Sequence, residues 1–374
     1  MQYRQFGNTG IKISTLGFGS MRLPQKNVDG TLVYDHDESV RIIHWAFELG
    51  VNYIDTAPYY CNHESEIMVG KALKGWREKV YLSTKNPIED ASGLHYRERL
   101  EKSLKQLDTP YIDFYHMWGI SWEAYEQKIN VKDGPLVQAL QARSEGLIRH
   151  ISFSFHDKPE NLFKLIDTGY FETILCQYNM LDRSNEAAIA HAHERGLGVV
   201  IMGPVGGGRL GVPSPVIQKL IPGGAKSSAE LALRFVLTNP NVTCALSGMG
   251  NLAMVEENTL VASNVDELSE AEITALNAAM EQNRKLADLY CTGCSYCMPC
   301  PTEVNIPLNF QLMNYHKVYS LTGYARQEYA KIGTNPWMKG KRADECIECG
   351  ECEEKCPQHL NIREQLKETA AALG

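Results

Sequence analysis

The chain has 374 residues, more than one typical domain needs and suited to a large domain beside a small one. With 44% hydrophobic residues it can bury a full core, and a formal charge of −8 argues against nucleic acid or an anionic membrane as the main partner. No run of eighteen apolar residues occurs and the start, MQYRQFGNTG, does not read as a signal peptide, so a cytoplasmic protein is expected.

In chain order, YRQF and IKIS flank Gly7-Asn8-Thr9-Gly10, which predicts an N-terminal β-hairpin. A strand near Leu16–Phe18 follows, then a helix over Asp37–Leu49 with Val40, Ile43 and Phe47 on one face. From there a unit repeats in which a helix closes on a glycine (Gly50, Gly75, Gly146, Gly169, Gly196) and an apolar strand begins within a few residues. With strands near Asp113–Tyr115 and Thr243–Leu246 the count reaches eight strand–helix units, which predicts a closed (β/α)8 barrel. An open doubly wound sheet is the alternative, but no G-x-G-x-x-G follows the first strand. The stretch from Pro204 to Lys226, with Gly206, Gly207 and Gly208, is long enough to read as a binding loop. After a helix over Glu270–Leu286 the composition turns to cysteine, a helical segment spans Leu308–Ile332, and a final helix over Asn361–Leu373 is capped by Asn361. The domain boundary is placed near residue 285, giving a barrel over 1–285 and a small, mainly helical domain over 286–374.

Three strands end on chemistry. VNYID stops at Thr56-Ala57-Pro58, leaving Asp55 at its end and Tyr60 in the loop beyond. VYLST runs into Lys85 and YIDFY into His116, at spacings of 30 and 31 residues, about one strand–helix–strand repeat each. The four groups then converge at one end of three adjacent strands. A phenol with a pKa near 10 is a poor acid, and a lysine cation within about 4–6 Å would lower that value. Asp55 would keep Lys85 charged, and His116 would hydrogen-bond the same substrate oxygen. Such a set suits protonation of a carbonyl oxygen while hydride adds to carbon.

Eight of the eleven cysteines lie between Cys291 and Cys356. Cys346, Cys349, Cys352 and Cys356 fit C-x2-C-x2-C-x3-C-P, the bacterial iron–sulfur spacing, with paired zinc sites as the competing reading. Cys291, Cys294, Cys297 and Cys300 depart from it by one residue, which leaves the pairing of ligands open. In two-cluster ferredoxins the Cys-Pro cysteine serves the opposite run. On that pattern Cys356 joins Cys291, Cys294 and Cys297, and Cys300 joins Cys346, Cys349 and Cys352. Cys61, Cys176 and Cys244 read as buried hydrophobes, with Cys61, next to Tyr60, the one that could depart from this.

YRQFGNTGIKISTLGFGSMRLP, DTAPYY, STK and FYHMWG resemble the opening and the catalytic motifs of the aldo/keto reductase family, and residues 286–374 resemble a dicluster ferredoxin module. The whole chain resembles the iron–sulfur branch of that family. The resemblance implies a catalytic tetrad of Asp55, Tyr60, Lys85 and His116, a nicotinamide cofactor, NAD(H) or NADP(H), and two [4Fe–4S] clusters. It further implies cofactor contacts from Ser154 and Gln177, from Glu257 and Asn258 at the adenine, and from the glycines of the long loop. Three positions depart from the family pattern: Phe155 follows Ser154 where asparagine is usual, Met202 replaces a stacking aromatic, and Ser247 to Asn258 holds no Lys or Arg.

These features predict an oxidoreductase acting on a small carbonyl or alcohol, with clusters relaying electrons to an external carrier such as ferredoxin. Two alternatives stay open: single-electron chemistry in the barrel without a dinucleotide, and clusters that are only structural.

Overall fold

The chain opens with the expected hairpin, β1 (Tyr3–Gln5) against β2 (Lys12–Ser14), in a computed structural model that describes residues 1–264, 267–288, 295, 297–356 and 360–374. After β3 (Leu16–Gly19) comes a second antiparallel hairpin, β4 (Gln25–Val28) and β5 (Thr31–Tyr34), which the sequence reading missed. Seven more strands follow: β6 (Tyr53–Asp55), β7 (Tyr81–Pro87), β8 (Ile112–Ile120), β9 (Ile148–Phe155), β10 (Thr173–Gln177), β11 (Gly198–Met202) and β12 (Cys244–Ser247). With β3 they close a parallel barrel in the order β10-β11-β12-β3-β6-β7-β8-β9. A helix follows each barrel strand, beginning with His36–Glu48, whose first turn is capped by Asp35 accepting from the Glu38 N–H. Each of the five predicted helix-closing glycines has a positive φ, between 75° and 96°.

The N-terminal hairpin has a definite job. Phe6 is fully buried against Tyr53 and Phe114, with ring centroids 5.8 and 4.7 Å away, inside a cluster that also takes in Ile13, Leu175 and Val200. A Cβ at Gly198, the first residue of β11, would fall 2.1 Å from the Phe6 ring, so only glycine admits the plug there. The hairpin therefore stoppers the N-terminal end of the barrel, opposite the end where the strands run out.

Two strands extend further than expected. β7 continues through Lys85 to Pro87 and β8 through His116 to Ile120, so both residues sit inside strands and not just past them. The chain divides into two compact units, one of residues 1–207 and 232–267, the other of residues 208–231 and 268–374. This division differs from the composition boundary near 285: the helix Glu270–Asp288 and the segment 208–231 both belong to the second unit. In that unit the predicted helical stretch is two helices, Ile306–Lys317 and Thr322–Tyr329. The last helix is Ile362–Leu373; Asn361 stands at its N-cap but makes no side-chain cap bond. Among the described residues no helix is long and apolar enough to cross a membrane.

Truncating the plug tests its weight. Phe6→Ala removes a fully buried ring that the surrounding strands cannot collapse onto, and should cost about 3–5 kcal/mol of unfolding free energy in urea. A loss under about 1 kcal/mol would show that the barrel closes without it.

Candidate active site

Asp55 ends β6 with Ser83 of β7 opposite it in register, and Lys85 lies opposite His116 of β8. Ser83 and Lys85 are two apart on one strand and so share a face. Both reach Asp55: Lys85 Nζ donates to Oδ2 at 2.5 Å and Ser83 Oγ to Oδ1 at 2.8 Å. Lys85 Nζ also donates to the Thr56 carbonyl at 2.8 Å and lies 4.8 Å from the centre of the Tyr60 ring. Tyr60 opens a short turn to His63 in which Cys61, Asn62 and His63 all have left-handed φ values of 52°, 51° and 70°. Trp118 stands edge-on to Tyr60 at 5.8 Å and beside Tyr59 at 5.3 Å, forming an aromatic wall.

The protonation states follow from burial and from this cation. Burial works against the Lys85 ammonium, but Asp55 and Tyr60 outweigh it and its pKa is raised. Burial also raises the Tyr60 phenol, and Lys85 only partly offsets that. The expectation that lysine would bring the phenol below its ordinary value is therefore corrected: desolvation is the larger effect, and Tyr60 is protonated at neutral pH. His116 is fully buried, and burial and then Lys85 push its pKa down to about 3. It is a neutral imidazole; among the described residues neither ring nitrogen has a partner of normal hydrogen-bond geometry, and the Phe153 backbone offsets only part of the fall.

The other sequence-predicted residues divide. Gln177 ends β10 opposite Met202 of β11, and its amide lies against Gly203, where a Cβ would come within 2.6 Å of Oε1. Ser154 is buried in β9 and accepts from the Gly119 N–H at 2.7 Å. Asn258 is also buried and donates to Ser247 Oγ at 3.0 Å, so its amide N–H braces the end of β12. Glu257 is exposed on the same helix. Gly206 and Gly207 belong to the barrel unit, with φ of 58° and 70°, whereas Gly208 falls in the second unit. The sequence reading missed His156. Burial and then Lys85 lower its pKa, and a Cβ at Gly119 would lie 3.4 Å from its ring. Its signal was its place two residues beyond Ser154, just past a barrel strand.

In the second unit Cys297, Cys300, Cys346, Cys349 and Cys352 line one cavity. Among the described residues no three His, Cys, Asp or Glu side chains close on a single-ion site; the thiols stand around a space instead. Burial raises the Cys300 thiol, but Thr302 Oγ1 and the backbone N–H groups of Thr302, Val304 and Glu303 outweigh it and its pKa is lowered. The Glu348 N–H points at Cys346 Sγ from 3.4 Å. Thiols ringed by backbone donors suit a cluster held by thiolates. Cys356 is buried and is not among the lining residues, while Cys291 and Cys294 lie outside the described residues.

Comparison with known proteins adds to this geometry. A model described as the aldo/keto reductase family matches residues 15–212, and one described as a 4Fe-4S dicluster domain matches residues 290–361. L-galactose dehydrogenase of Arabidopsis thaliana is 28% identical over 316 residues, spanning 76% of this chain and 96% of that protein. The NADH-specific methylglyoxal reductase of Escherichia coli is 26% identical over 328 residues, spanning 74% and 97%. Among solved structures, an aldo-keto reductase of Bacillus halodurans in its holo form is 29% identical with a TM-score of 0.64, covering 74% of this chain and 96% of that one.

A buried neutral His116 has a pH signature. The unfolded chain takes up a proton here near the ordinary histidine value, about 6.5, and the folded chain only near 3. Stability from this group is therefore complete above that ordinary value and is lost as pH falls toward the lower one, by up to about 1.4 kcal/mol per pH unit. In urea unfolding between about pH 6.5 and pH 4, His116→Asn should lose stability less steeply than the wild-type chain. Parallel slopes would refute the assignment.

Proposed function

The chain belongs to the aldo/keto reductase family and carries a 4Fe-4S dicluster domain, and from that membership we propose that it interconverts a carbonyl and an alcohol at Asp55, Tyr60, Lys85 and His116. The observation that carries this reading is the buried Lys85 ammonium, held by Asp55 at 2.5 Å and set 4.8 Å from the Tyr60 ring centre. In the reducing direction the Tyr60 hydroxyl gives its proton to the substrate oxygen. The phenolate left behind faces Lys85, whose charge matters most at that moment. The neutral His116 ring offers an N–H to the same oxygen and carries no charge that would repel Lys85. Tyr59 and Trp118 supply an apolar wall for the rest of the substrate.

A nicotinamide dinucleotide, when bound, supplies or accepts the hydride. The strand ends fit such a group: Gln177 at the end of β10, the glycines beyond β11, and Asn258 beside the end of β12. With no Lys or Arg from Ser247 to Asn258, a 2′-phosphate finds no basic partner there, and we infer that NADH is bound at least as well as NADPH. Those missing bases, with Phe155 and Met202, also favour a second reading, single-electron chemistry without a dinucleotide.

The eight cysteines fit two [4Fe–4S] clusters, which when bound supply one-electron transfer; we infer a relay to an external carrier such as ferredoxin, in a reducing cytoplasm. Cys297 and Cys300 of the first run line one cavity with Cys346, Cys349 and Cys352 of the second, so the two runs meet around one space; Cys300 fits the crossed pairing there, while Cys297 would belong to the other cluster.

Two measurements test these assignments. Tyr60→Phe keeps the ring and removes the proton, and should slow carbonyl reduction by about 10²-fold or more with the fold intact; retained turnover would make Tyr60 structural. Anaerobic protein should hold about eight irons and eight labile sulfides. Cys300→Ala should lose about half of them and abolish turnover with a one-electron donor, leaving dinucleotide binding in place. Unchanged iron would refute the crossed pairing, and unchanged one-electron turnover would refute the relay.

A further inference from the structure

Trp337 is 93% exposed, the most exposed large hydrophobic side chain among the described residues. The turn that carries it, 333–342, is nevertheless closed on itself. The Gly333 N–H donates to the Met338 carbonyl at 2.8 Å, the Met338 N–H to the Asn335 carbonyl at 2.9 Å, and the Trp337 N–H to Asn335 Oδ1 at 2.9 Å. Its base is bonded to the chain just past the first cysteine run. The Lys341 N–H donates to the Glu303 carbonyl at 2.8 Å and Asn305 Nδ2 to the Lys339 carbonyl at 2.7 Å, while the Glu303 N–H donates to the Cys300 carbonyl at 2.9 Å. Beyond Arg342 a single short turn, Ala343–Glu345, leads into Cys346. Cys300 and Cys346 line the same cavity, so the tryptophan stands on a stalk rooted where the two cysteine runs meet.

The charge around this anchor is one-sided. Lys331, Lys339, Lys341 and Arg342 are basic and no acid occurs from 331 to 342, in a chain of net charge −8. Lys331, Lys341 and Arg342 meet Glu328, Glu303 and Asp344 at 2.6, 3.7 and 3.1 Å, in exposed pairs that hold little energy and yield to a competing carboxylate. Lys339, two residues from Trp337, is exposed and pairs with no carboxylate among the described residues. The neighbouring cysteine loop is acidic instead. Its Glu348, Glu351 and Glu353 are paired with Lys367, Lys355 and Arg363, and Glu345 and Glu354 pair with no cation among the described residues. An anionic surface is therefore drawn to the turn and not to the loop. Tryptophan is enriched among the few residues that carry binding energy at interfaces. Complementary charge around it sets partner choice and encounter rate.

We propose that the turn 333–342 is the docking surface for an acidic one-electron carrier protein, with Trp337 as the anchor that becomes buried and Lys339 as the steering charge. This assignment rests on the relay reading above and names where the carrier lands. In the loading direction the reduced carrier loses one electron and a cysteine-held cluster gains it, with no bond made or broken and no proton moved.

The test uses the whole, cluster-loaded chain and an acidic bacterial two-cluster ferredoxin as the probe, with affinity read by calorimetry at low and high salt. Trp337→Ala should weaken binding by about tenfold or more. Lys339→Glu should weaken it by about tenfold at low salt and by less at high salt, where screening removes the steering. Both variants should keep the iron content, the melting temperature and turnover with reduced methyl viologen, a small donor that needs no docking surface. Unchanged ferredoxin affinity in Trp337→Ala overturns the assignment. So does a wild-type chain that turns over with the viologen and binds no ferredoxin. Sedimentation and flotation with phosphatidylglycerol vesicles cover the other occupants: a dimer or a vesicle contact that Trp337→Ala abolishes, with ferredoxin binding intact, gives the surface to a second copy or to a membrane. If the wild-type chain turns over with neither donor, the relay reading itself fails, an outcome the variants do not produce.

Discussion

The site depends on one buried ion pair. Lys85 is 2% exposed, and removing an ammonium from water costs several kcal/mol unless a partner and hydrogen bonds replace the solvent. Asp55, the Thr56 carbonyl and the Tyr60 ring provide the replacement. None would be within reach without the strand register that sets Asp55 opposite Ser83 and Lys85 opposite His116. Since side chains alternate along a strand, a slip of one residue in β7 would turn Lys85 outward and bring Thr84 in. In the native register Thr84 faces the helices instead and donates to Glu66 at 2.7 Å, with Asn86 on the same side bonded to Tyr115. Both faces of β7 are thus polar and buried, and each is specified by a partner.

That pair also sets the character of its neighbours. Its Lys85 lowers His116 beyond what burial does and partly offsets the desolvation that raises Tyr60, while Asp55 adds to that rise. Tyr60 itself is held by a strained turn. Three successive non-glycine residues in the left-handed region cost about 1 kcal/mol or more each. The turn persists because Cys61 Sγ is anchored on the Ser20 carbonyl, His63 contacts the Pro58 carbonyl at 3.1 Å, and the Glu64 N–H bonds back to Cys61 at 3.0 Å. The strain lies in the turn that sets the Tyr60 ring beside Lys85.

Much of this was legible because it is periodic or local. The barrel followed from glycine-closed helices and apolar strands, and the convergence of Asp55, Lys85 and His116 on neighbouring strands from spacings of about one strand–helix–strand repeat. What escaped depends on contacts far apart in sequence or lacking a buried face. The β4–β5 hairpin buries none of its eight residues deeply and so shows no apolar alternation; its one signal was Asp29-Gly30, both with positive φ. The direction of the Tyr60 shift needed burial, which spacing does not give. Phe6 read as part of a hairpin, but its role as a plug appears only when Gly198 is found pressed against it. Arg22 bears on the glycine loop from 185 residues away in sequence.

The long stretch after β11 is the remaining point of connection. It begins with Gly206 and Gly207 in the barrel unit, and from Gly208 to Leu231 it belongs to the unit that carries the cysteines. Within that unit Ser214 is fully buried; its Oγ donates to the Tyr319 carbonyl at 2.8 Å, and its N–H reaches Ser228 Oγ at 3.0 Å. A loop free at its far end could take many shapes, and its glycines would lose more conformational entropy than any other residue on being ordered. Beyond Gly207 the chain is a short helical turn to Gly211 with Leu210 fully buried, and Ser214 fixes it again three residues later. Within the second unit, then, Tyr319, which follows the helix Ile306–Lys317 and its neighbour Val318, fixes where this segment lies.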